Sequence, residues 1–416
     1  MKTILHCDLN NFYASVETAL NPELKDKPVA VCGEQELRHG IVLAKSYPAK
    51  ACGIATGDTV TEAKRKCPNL IVLPPHFEEY VKYSDKVFAI HTSFTDRVEN
   101  YGLDECWLDV TNSSALFGGG EKIADEIRRR VKDELNLTIS VGVSFTKIFA
   151  KLGSDMKKPD ATTVISPENF KDKIYRLPAE ELMMVGKSTK NILNRLNIRT
   201  IGELAAADKG LLKQHLGING EKLIDSANGR DNDEVRLYYD KFLPASVGHG
   251  TTTPTDMTSY DDAAVIIYAL SELVASRLRR YGLHACGVHL SVKNSRLKSF
   301  GKQRALNAFT SNSKDIAENA CALLQELWSP SENYALRAVT VSAINLIKSG
   351  DMLNINFFDD IDLKPDNLEN SLDKIRSKYG FGSIKRGILL KNSYVADDRF
   401  SGDNKFLPFS KGTERS

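Results

Sequence analysis

Asp104 and Glu105 stand side by side in Tyr101-Gly102-Leu103-Asp104-Glu105-Cys106-Trp107-Leu108-Asp109, an otherwise apolar run of strand character. Burying two unpaired carboxylates costs several kcal/mol each, so a fold that uses this run in its core must bring positive charge to it. Successive strand residues point to opposite faces. A cation shared by both acids therefore needs a bend, which Gly102 is able to supply. The alternative is a polar hairpin with both acids in water, the usual meaning of Asp and Gly near turns. A second stretch favours the cation. Ile4-Leu5-His6-Cys7 has the pattern of a short buried strand, and Asp8 stands where it ends. Distant strands ending in acids are a common way to build an oxygen-ligated hard-cation site. Asp8, Asp104 and Glu105 are thus candidate ligands for divalent metal, Mg²⁺ first, in the two-metal arrangement of in-line phosphoryl transfer.

The 416 residues exceed what one core organises, and about two to four domains are expected. The net charge of +2 hides a local imbalance, because residues 350–373 carry seven acids against Lys364 alone. Positive charge elsewhere is masked by that segment. Seven cysteines without a C-x-x-C pair fit a reduced, intracellular protein with no structural zinc. His6 and Asp8 break the first apolar run too soon for a signal peptide. No run reaches ~20 apolar residues. A cytoplasmic protein without membrane contact is expected.

A helix is expected from Asn11 to Ala19, capped by Asn10 or Asn11, which puts Phe12 and Tyr13 near Asp8. Strands follow at Pro28–Gly33 and Gly40–Ala44, and Ser46-Tyr47-Pro48-Ala49-Lys50 comes just after them. A short helix is read at Thr59–Lys66, a strand at Leu70–Leu73 and a helix at His76–Thr92. Ile123–Glu134 is amphipathic, Thr138–Val143 a buried strand, and Phe145–Lys158 a helix with Lys147, Lys151, Lys157 and Lys158 around Asp155. A lysine row is usually a solvated face, but against a polyphosphate it is a neutralising shell. From 167 the pattern is helical. Glu180–Leu196 and the segment from Ile198 read as helix, turn and helix, with Val185-Gly186-Lys187-Ser188 in the turn. His215–Leu223 repeats the theme. Such turns aim backbone N–H groups at phosphates. Gly186-Lys187-Ser188 lacks the earlier glycine and the strand of a Walker-A loop. Arg236–Ala245 reads as a linker. Residues 246–346 then alternate as a split β-α-β-β-α-β unit, with Lys293, Arg296, Lys298, Lys302 and Arg304 between its central strands and no acid among them. A basic hairpin on an open sheet suits nucleic acid. The last stretch is acidic and aromatic around Phe357-Phe358, with a weak helical period at Pro365–Tyr379 and a disordered reading from Tyr394.

Taken together, these motifs resemble the Y-family DNA polymerases, of the bacterial DNA polymerase IV type. Cys7-Asp8-Leu9-Asn10-Asn11-Phe12-Tyr13-Ala14-Ser15-Val16-Glu17 is similar to the first palm motif, and Tyr101–Glu105 to the family's S-I-D-E segment. Ser46–Lys50 resembles its triphosphate-contacting motif. Ser140–Val143 with Lys147, Lys151 and Asp155–Pro159 resembles its palm strand and lysine helix. The likeness runs from residue 1 to about 350 in the family's domain order. It implies an α+β multidomain right-hand polymerase: palm at 1–10 and 75–166, fingers at 11–74, and a helical thumb at 167–235. A linker at 236–245, a split β-α-β-β-α-β little finger at 246–348 and a tail at 349–416 complete it. Asp8, Asp104, Glu105 and the Leu9 carbonyl are then the metal ligands for two Mg²⁺, with Mn²⁺ able to substitute. Tyr13 falls at the steric gate against a ribose 2′-OH. Phe12, Tyr47, Lys50 and Lys158 fall at the nucleotide. DNA contacts are expected at Gly186, Lys187, Lys293, Arg296, Lys298, Lys302 and Arg304. Asn354, Phe357 and Phe358 resemble a degenerate clamp-docking peptide.

Four positions depart from the family pattern: Asn10 for Asp, Gly102 for Ser, Lys50 for Arg, and Met184 where the first thumb turn often has Gly. The expected activity is error-prone, template-directed DNA synthesis without proofreading, by a monomer that takes primer-template DNA, dNTP and a sliding clamp. Two rivals stand beside it. A palm-type nucleotidyl cyclase leaves the thumb turns and the basic unit unexplained. A catalytically weak scaffold that binds DNA and clamp is opposed by the intact acids.

Overall fold

The computed structural model describes residues 2–34, 40–240, 243–332, 334–349, 367–391 and 395. They form two compact units, the first running to Asp240 and the second from 243 onward. The first begins with β1 (Ile4–Leu9), α1 (Phe12–Leu20), β2 (Val29–Cys32), β3 (Val42–Lys45), α2 (Tyr47–Ala51), α3 (Val60–Lys66) and β4 (Ile71–Leu73). Next come α4 (Phe77–Thr92), β5 (Val98–Asn100), β6 (Glu105–Asp109), α5 (Ser114–Phe117), α6 (Gly120–Leu135), β7 (Ile139–Ser144), α7 (Lys147–Met156) and β8 (Thr162–Ile165). The strands make a five-stranded sheet, β5-β6-β1-β7-β8, and a three-stranded one, β3-β2-β4.

β1 lies at the centre of the larger sheet, antiparallel to β6 and β7. Every residue in it is buried, as expected of a strand paired on both edges and covered on both faces. Alternation then sorts its side chains. Leu5, Cys7 and Leu9 share a core with Phe88 of α4 and Ile123 and Ile127 of α6, whereas His6 and Asp8 meet α7. Close approach of α7 depends on Gly142, where a Cβ would sit 1.9 Å from the Ala150 carbonyl oxygen. The bare patch on β7 is what lets α7 reach the acids.

α8 (Phe170–Ile174), α9 (Lys187–Arg195), α10 (Ile201–Ala206), α11 (Lys209–Leu216) and α12 (Ile218–Ala227) follow and share a core with Phe149 and Leu152 of α7. The helix expected from Glu180 is only a 3₁₀ turn, Ala179–Glu181. Leu182 and Val185 turn inward, and Met184 takes a left-handed φ of 75° that ends any helix there. The linker expected at 236–245 is in part a clasp. Arg236 pairs with Glu99, the Tyr238 N–H donates to the Asp96 carbonyl, and Val235 is fully buried beside Trp107.

The second unit consists of β9 (Ser246–Met257), α13 (Tyr260–Arg280), β10 (Leu283–Asn294), β11 (Ser299–Thr310), α14 (Ser313–Leu327), β12 (Leu336–Lys348) and α15 (Asn367–Tyr379). Its sheet has the order β11-β10-β12-β9. Val288, Leu290 and Val292 point to the core shared with α13 and α14. Lys302 pairs with Leu290 and Arg304 with Val288, so both basic side chains lie on that helix-covered face. There they bridge to Glu326 of α14. The five basic residues expected at DNA therefore do not lie on one face of the sheet. Lys293, opposite Ser299, does lie on it, beside a depression of about 530 Å³ lined by Gly250, Thr252, Ser291 and Thr340. Arg296, in the hairpin, stacks on Tyr334 at 4.1 Å.

The tail expected at 349–416 is in part folded, because residues 367–391 are built into the second unit. α15 lays Glu369 and Arg376 against α13, and Leu389 joins the core. Arg279 reaches Glu369 at 3.1 Å and Asp373 at 2.6 Å, Arg376 reaches Glu272 at 2.7 Å, and Arg386 bridges Glu272 and Glu369. Removing one member of a buried ion network strands its partners. Glu369→Ala is therefore expected to lower the unfolding free energy of the second unit by about 3–5 kcal/mol and leave the first unit's unchanged. Hydrogen exchange across α13 and α14 reads this out, and undiminished protection there would refute it.

Candidate active site

The bend that two adjacent acids require is present. Gly102 has a φ of 100°, and the Tyr101 N–H donates to the Glu105 carbonyl at 2.8 Å. Leu103 and Asp104 are looped out ahead of β6 as a result. The Leu9 N–H donates to the Asp104 carbonyl at 2.9 Å, and Asp8 is the register partner of Glu105. The three carboxylates are brought together by one strand pairing and one glycine turn.

Their electrostatics record the crowding. Burial first, and then the Glu105 and Asp8 charges, push the Asp104 carboxyl up to about 6. Burial also works against ionised Glu105, but neighbouring His6 and Lys151 hold it down to about 2. Lys151 Nζ lies 2.8 Å from Glu105 Oε2 and 3.3 Å from Asp8 Oδ2. Lys158 Nζ lies 2.8 Å from Asp8 Oδ2 and 2.9 Å from Asp155 Oδ1. Although burial opposes it, Asp8 and Glu105 keep the Lys151 ammonium above its ordinary range. Two lysines neutralise Asp8 and Glu105, and among the described residues Asp104 has no ion-pair partner. Three carboxylates, one of them uncompensated and all oxygen donors, fit a hard divalent cation.

His6 is fully buried on the same face. Its Nδ1 lies 2.8 Å from Ser154 Oγ, and its Nε2 faces Glu105 Oε2 at 3.4 Å. Burial holds the imidazole below its usual range. The Ser154 hydroxyl donates to the Lys151 carbonyl at 2.8 Å, so its oxygen is left to accept from the His6 ring at Nδ1. Asn10 turns away from the acids. Its amide donates to Ser140 Oγ at 3.0 Å and accepts from the Asp160 N–H at 3.0 Å. Asn is therefore sufficient at that position.

Tyr13 stacks on Tyr80 with ring centroids 4.3 Å apart and planes 11° from parallel. Burial and the Asp104 charge both push its hydroxyl up, so the ring feels that acid. Tyr80 donates to the buried Glu17 carboxylate, and His76 Nδ1 lies 2.9 Å from it. Phe12, expected at the nucleotide, is a core ring only 3 % exposed and tilted against Tyr13 and Tyr80. It supports Tyr13 rather than lining the site. Tyr47 feels Lys158 and Asp8, although burial is the main cause that raises its hydroxyl. Lys50 Nζ lies 5.9 Å from the Tyr47 ring.

Sequence reading placed Lys151 in the lysine helix without pairing it to the acids, and missed His6, Tyr80 and Lys45. Lys151, Asp155 and Lys158 share one side of α7 and its end by i, i+3 and i+4 spacing, a signal available from the start. Lys45 stands near Lys50, and burial lowers its ammonium. No comparable signal marked Tyr80 or Lys45. Gly186 and Gly217 begin α9 and α12 without a side-chain cap, which leaves the first N–H groups of both helices available to an anion. Lys187 is the first residue of α9. Lys298 is exposed in the hairpin. Asn354, Phe357 and Phe358 lie outside the described residues. Among the described residues, no helix is long and apolar enough to cross a membrane.

Residues 7–155 match the impB/mucB/samB family, and residues 244–355 match that family's C-terminal domain. The chain is 48% identical over 394 residues to DNA polymerase IV of Acetivibrio thermocellus, covering 94% of this chain and 98% of that one. It is 36% identical to DNA polymerase IV of Clostridium acetobutylicum, with 94% and 98% covered. The solved Y-family DNA polymerase chimera Dbh-Dpo4(243-245)-Dbh has the same fold, with a TM-score of 0.75 at 22% identity over 83% of this chain and 99% of that one. Paired acids at one strand junction, a lysine helix across them and matches along nearly the whole chain lead to one assignment: this chain belongs to the impB/mucB/samB family of Y-family DNA polymerases.

Proposed function

A chain of this family is a DNA-directed DNA polymerase dependent on divalent metal, and we propose that this one carries out error-prone lesion bypass with Asp8, Asp104 and Glu105 as its metal ligands. The convergence of those three acids opposite Lys151 and Lys158 carries the reading. The Leu9 carbonyl completes the oxygen set, and two Mg²⁺ ions, replaceable by Mn²⁺, are the proposed occupants. Bound there, divalent ions neutralise developing charge and align the attacking and leaving oxygens. The primer 3′-hydroxyl loses its proton to solvent and attacks the α-phosphorus of a dNTP; a P–O bond forms there, the bond from that phosphorus to the bridging oxygen breaks, and pyrophosphate leaves. Tyr47, Lys50 and Lys158 hold the triphosphate. Lys158 gives up Asp8 to do so. Tyr13, backed by Tyr80, closes the space a ribose 2′-OH would need.

In this reading the five-stranded sheet is the palm (1–10 and 75–166) and the smaller sheet the fingers (11–74). The helices to 235 form the thumb, where Gly186, Lys187 and the start of α12 meet phosphates. The second unit is the little finger. Its open face with Lys293, and the hairpin with Arg296 and Lys298, meet the duplex.

Primer extension tests the centre of the proposal. Asp104→Ala is expected to abolish synthesis while primer-template affinity stays near the parent's, because the basic surfaces lie elsewhere. Tyr13→Ala is expected to keep dNTP synthesis and raise rNTP use more than about tenfold, each tenfold being ~1.4 kcal/mol of discrimination. Synthesis by Asp104→Ala near the parent's rate would overturn the metal assignment, and an unchanged sugar preference would move the gate elsewhere.

The two faces of the second unit separate in salt. Lys293→Ala is expected to flatten the log–log salt dependence of duplex binding by about 0.9. Lys302→Ala, which removes a partner of Glu326 on the far face, should leave that slope unchanged. Equal slopes for both variants would return Lys302 to the DNA side.

The sliding clamp is the remaining proposed partner, through Asn354, Phe357 and Phe358. Two adjacent phenylalanines between acids suit an apolar pocket, each burial contributing roughly 1.5–3 kcal/mol. Phe357→Ala with Phe358→Ala is expected to remove stimulation by the clamp and spare clamp-free synthesis. A large loss of thermal stability would assign the rings to the core instead.

A further inference from the structure

The face of β1 and β6 turned away from the acids holds a second cluster that polymerase chemistry does not use. Cys7 and Cys106 are register partners, one step from the Asp8–Glu105 pair. They point into the core between the sheet and α4, where His91 Nδ1 lies 3.0 Å from Cys106 Sγ. One ligand atom from each of Cys7, His91 and Cys106 lies within 4.8 Å of the other two. The three residues are 0, 4 and 3 % exposed. His91 Nδ1 is the ring nitrogen turned to Cys106, and among the described residues its buried Nε2 has no hydrogen-bond partner.

We propose that Cys7, Cys106 and His91 form a three-coordinate site for a thiophilic monovalent cation, with Cu(I) as its biological occupant. Two sulfurs and an imidazole are soft donors, which select Cu(I) and zinc over the hard cations that suit carboxylates. A structural zinc site takes four ligands. Among the described residues no fourth His, Cys, Asp or Glu joins this group, and burial keeps water from completing the shell. Three donors around one ion with bonds of about 2.3 Å stand roughly 4 Å apart, so the 3.0 Å pair of His91 Nδ1 and Cys106 Sγ opens slightly while the group as a whole, already within 4.8 Å, closes on the ion. Each sulfur binds as thiolate, and its proton leaves to solvent as the ion enters. The ion ties β1, β6 and α4 together behind the acids, in a place where Mg²⁺ finds no oxygen ligand. This inference is independent of the polymerase reading.

The test uses the full chain, reduced and metal-free under anaerobic conditions, with Cu(I) supplied from a chromogenic chelator. The expected result is withdrawal of one equivalent, with X-ray absorption reporting two sulfur neighbours and one nitrogen. Cys7→Val with Cys106→Ala is expected to lose that equivalent while its circular dichroism and Mg²⁺-dependent primer extension match the parent's. His91→Phe is expected to remove the nitrogen neighbour. Failure of the parent to withdraw Cu(I) overturns the site, and so does retention of the equivalent by the double variant, which assigns the ion to other cysteines such as Cys52. If the double variant does not fold, the parent's absorption spectrum decides: a sulfur-only shell refutes the proposal.

Discussion

Repulsion among Asp8, Asp104 and Glu105 is the constraint around which the first unit is arranged. Strand pairing brings Asp8 to Glu105, and a glycine turn adds Asp104. Each step increases the cost of ionising the group in low dielectric. Lys151 and Lys158 offset part of that cost from α7 and its C-terminal end, and α7 is able to lie so close only because Gly142 has no side chain. The remaining deficit falls on Asp104, the acid with the raised pKa. An arrangement left short of positive charge in this way favours cation binding.

The second unit solves a charge problem by the opposite route. Its buried charges are closed on themselves: Arg279, Arg376 and Arg386 find Glu272, Glu369 and Asp373 within the fold. Nothing in that network asks for a ligand. The charges that remain available, Lys293 and those of the hairpin, are exposed and singly signed, which suits a polyanion bound without sequence preference.

Much of this was legible in residue order. A glycine ahead of two acids in an apolar run required a bend and a cation, and the structure has the bend. The alternation of strand and helix beyond 246 gave the β-α-β-β-α-β unit to within a few residues. Legibility failed where parity was ignored. Phe300, Lys302, Arg304 and Leu306 share one face of β11, and the two hydrophobic members mark that face as inward. It failed for a different reason at α15, where low hydrophobicity read as an accessory tail. Its burial rests on ion pairs with partners about a hundred residues away, such as Arg376 with Glu272, which no local period reveals. The Tyr13–Tyr80 stack is equally non-local. Each ring has a helical environment of its own, and only the packing of α1 on α4 joins them.

Docking of α15 also changes what kind of object the stretch from 350 to 366 is. It leaves the second unit at the end of β12 and returns to the same unit at Asn367. A segment fixed at one end is a leash, and its reach is its contour length. Fixed at both ends it is a handle, and a partner holding its middle can stand off by no more than about half that length, roughly 30 Å at ~3.4 Å per residue. Its two described neighbours, Ser349 and Asn367, both belong to the second unit, so any pull along that stretch is shared between β12 and the ion pairs that anchor α15.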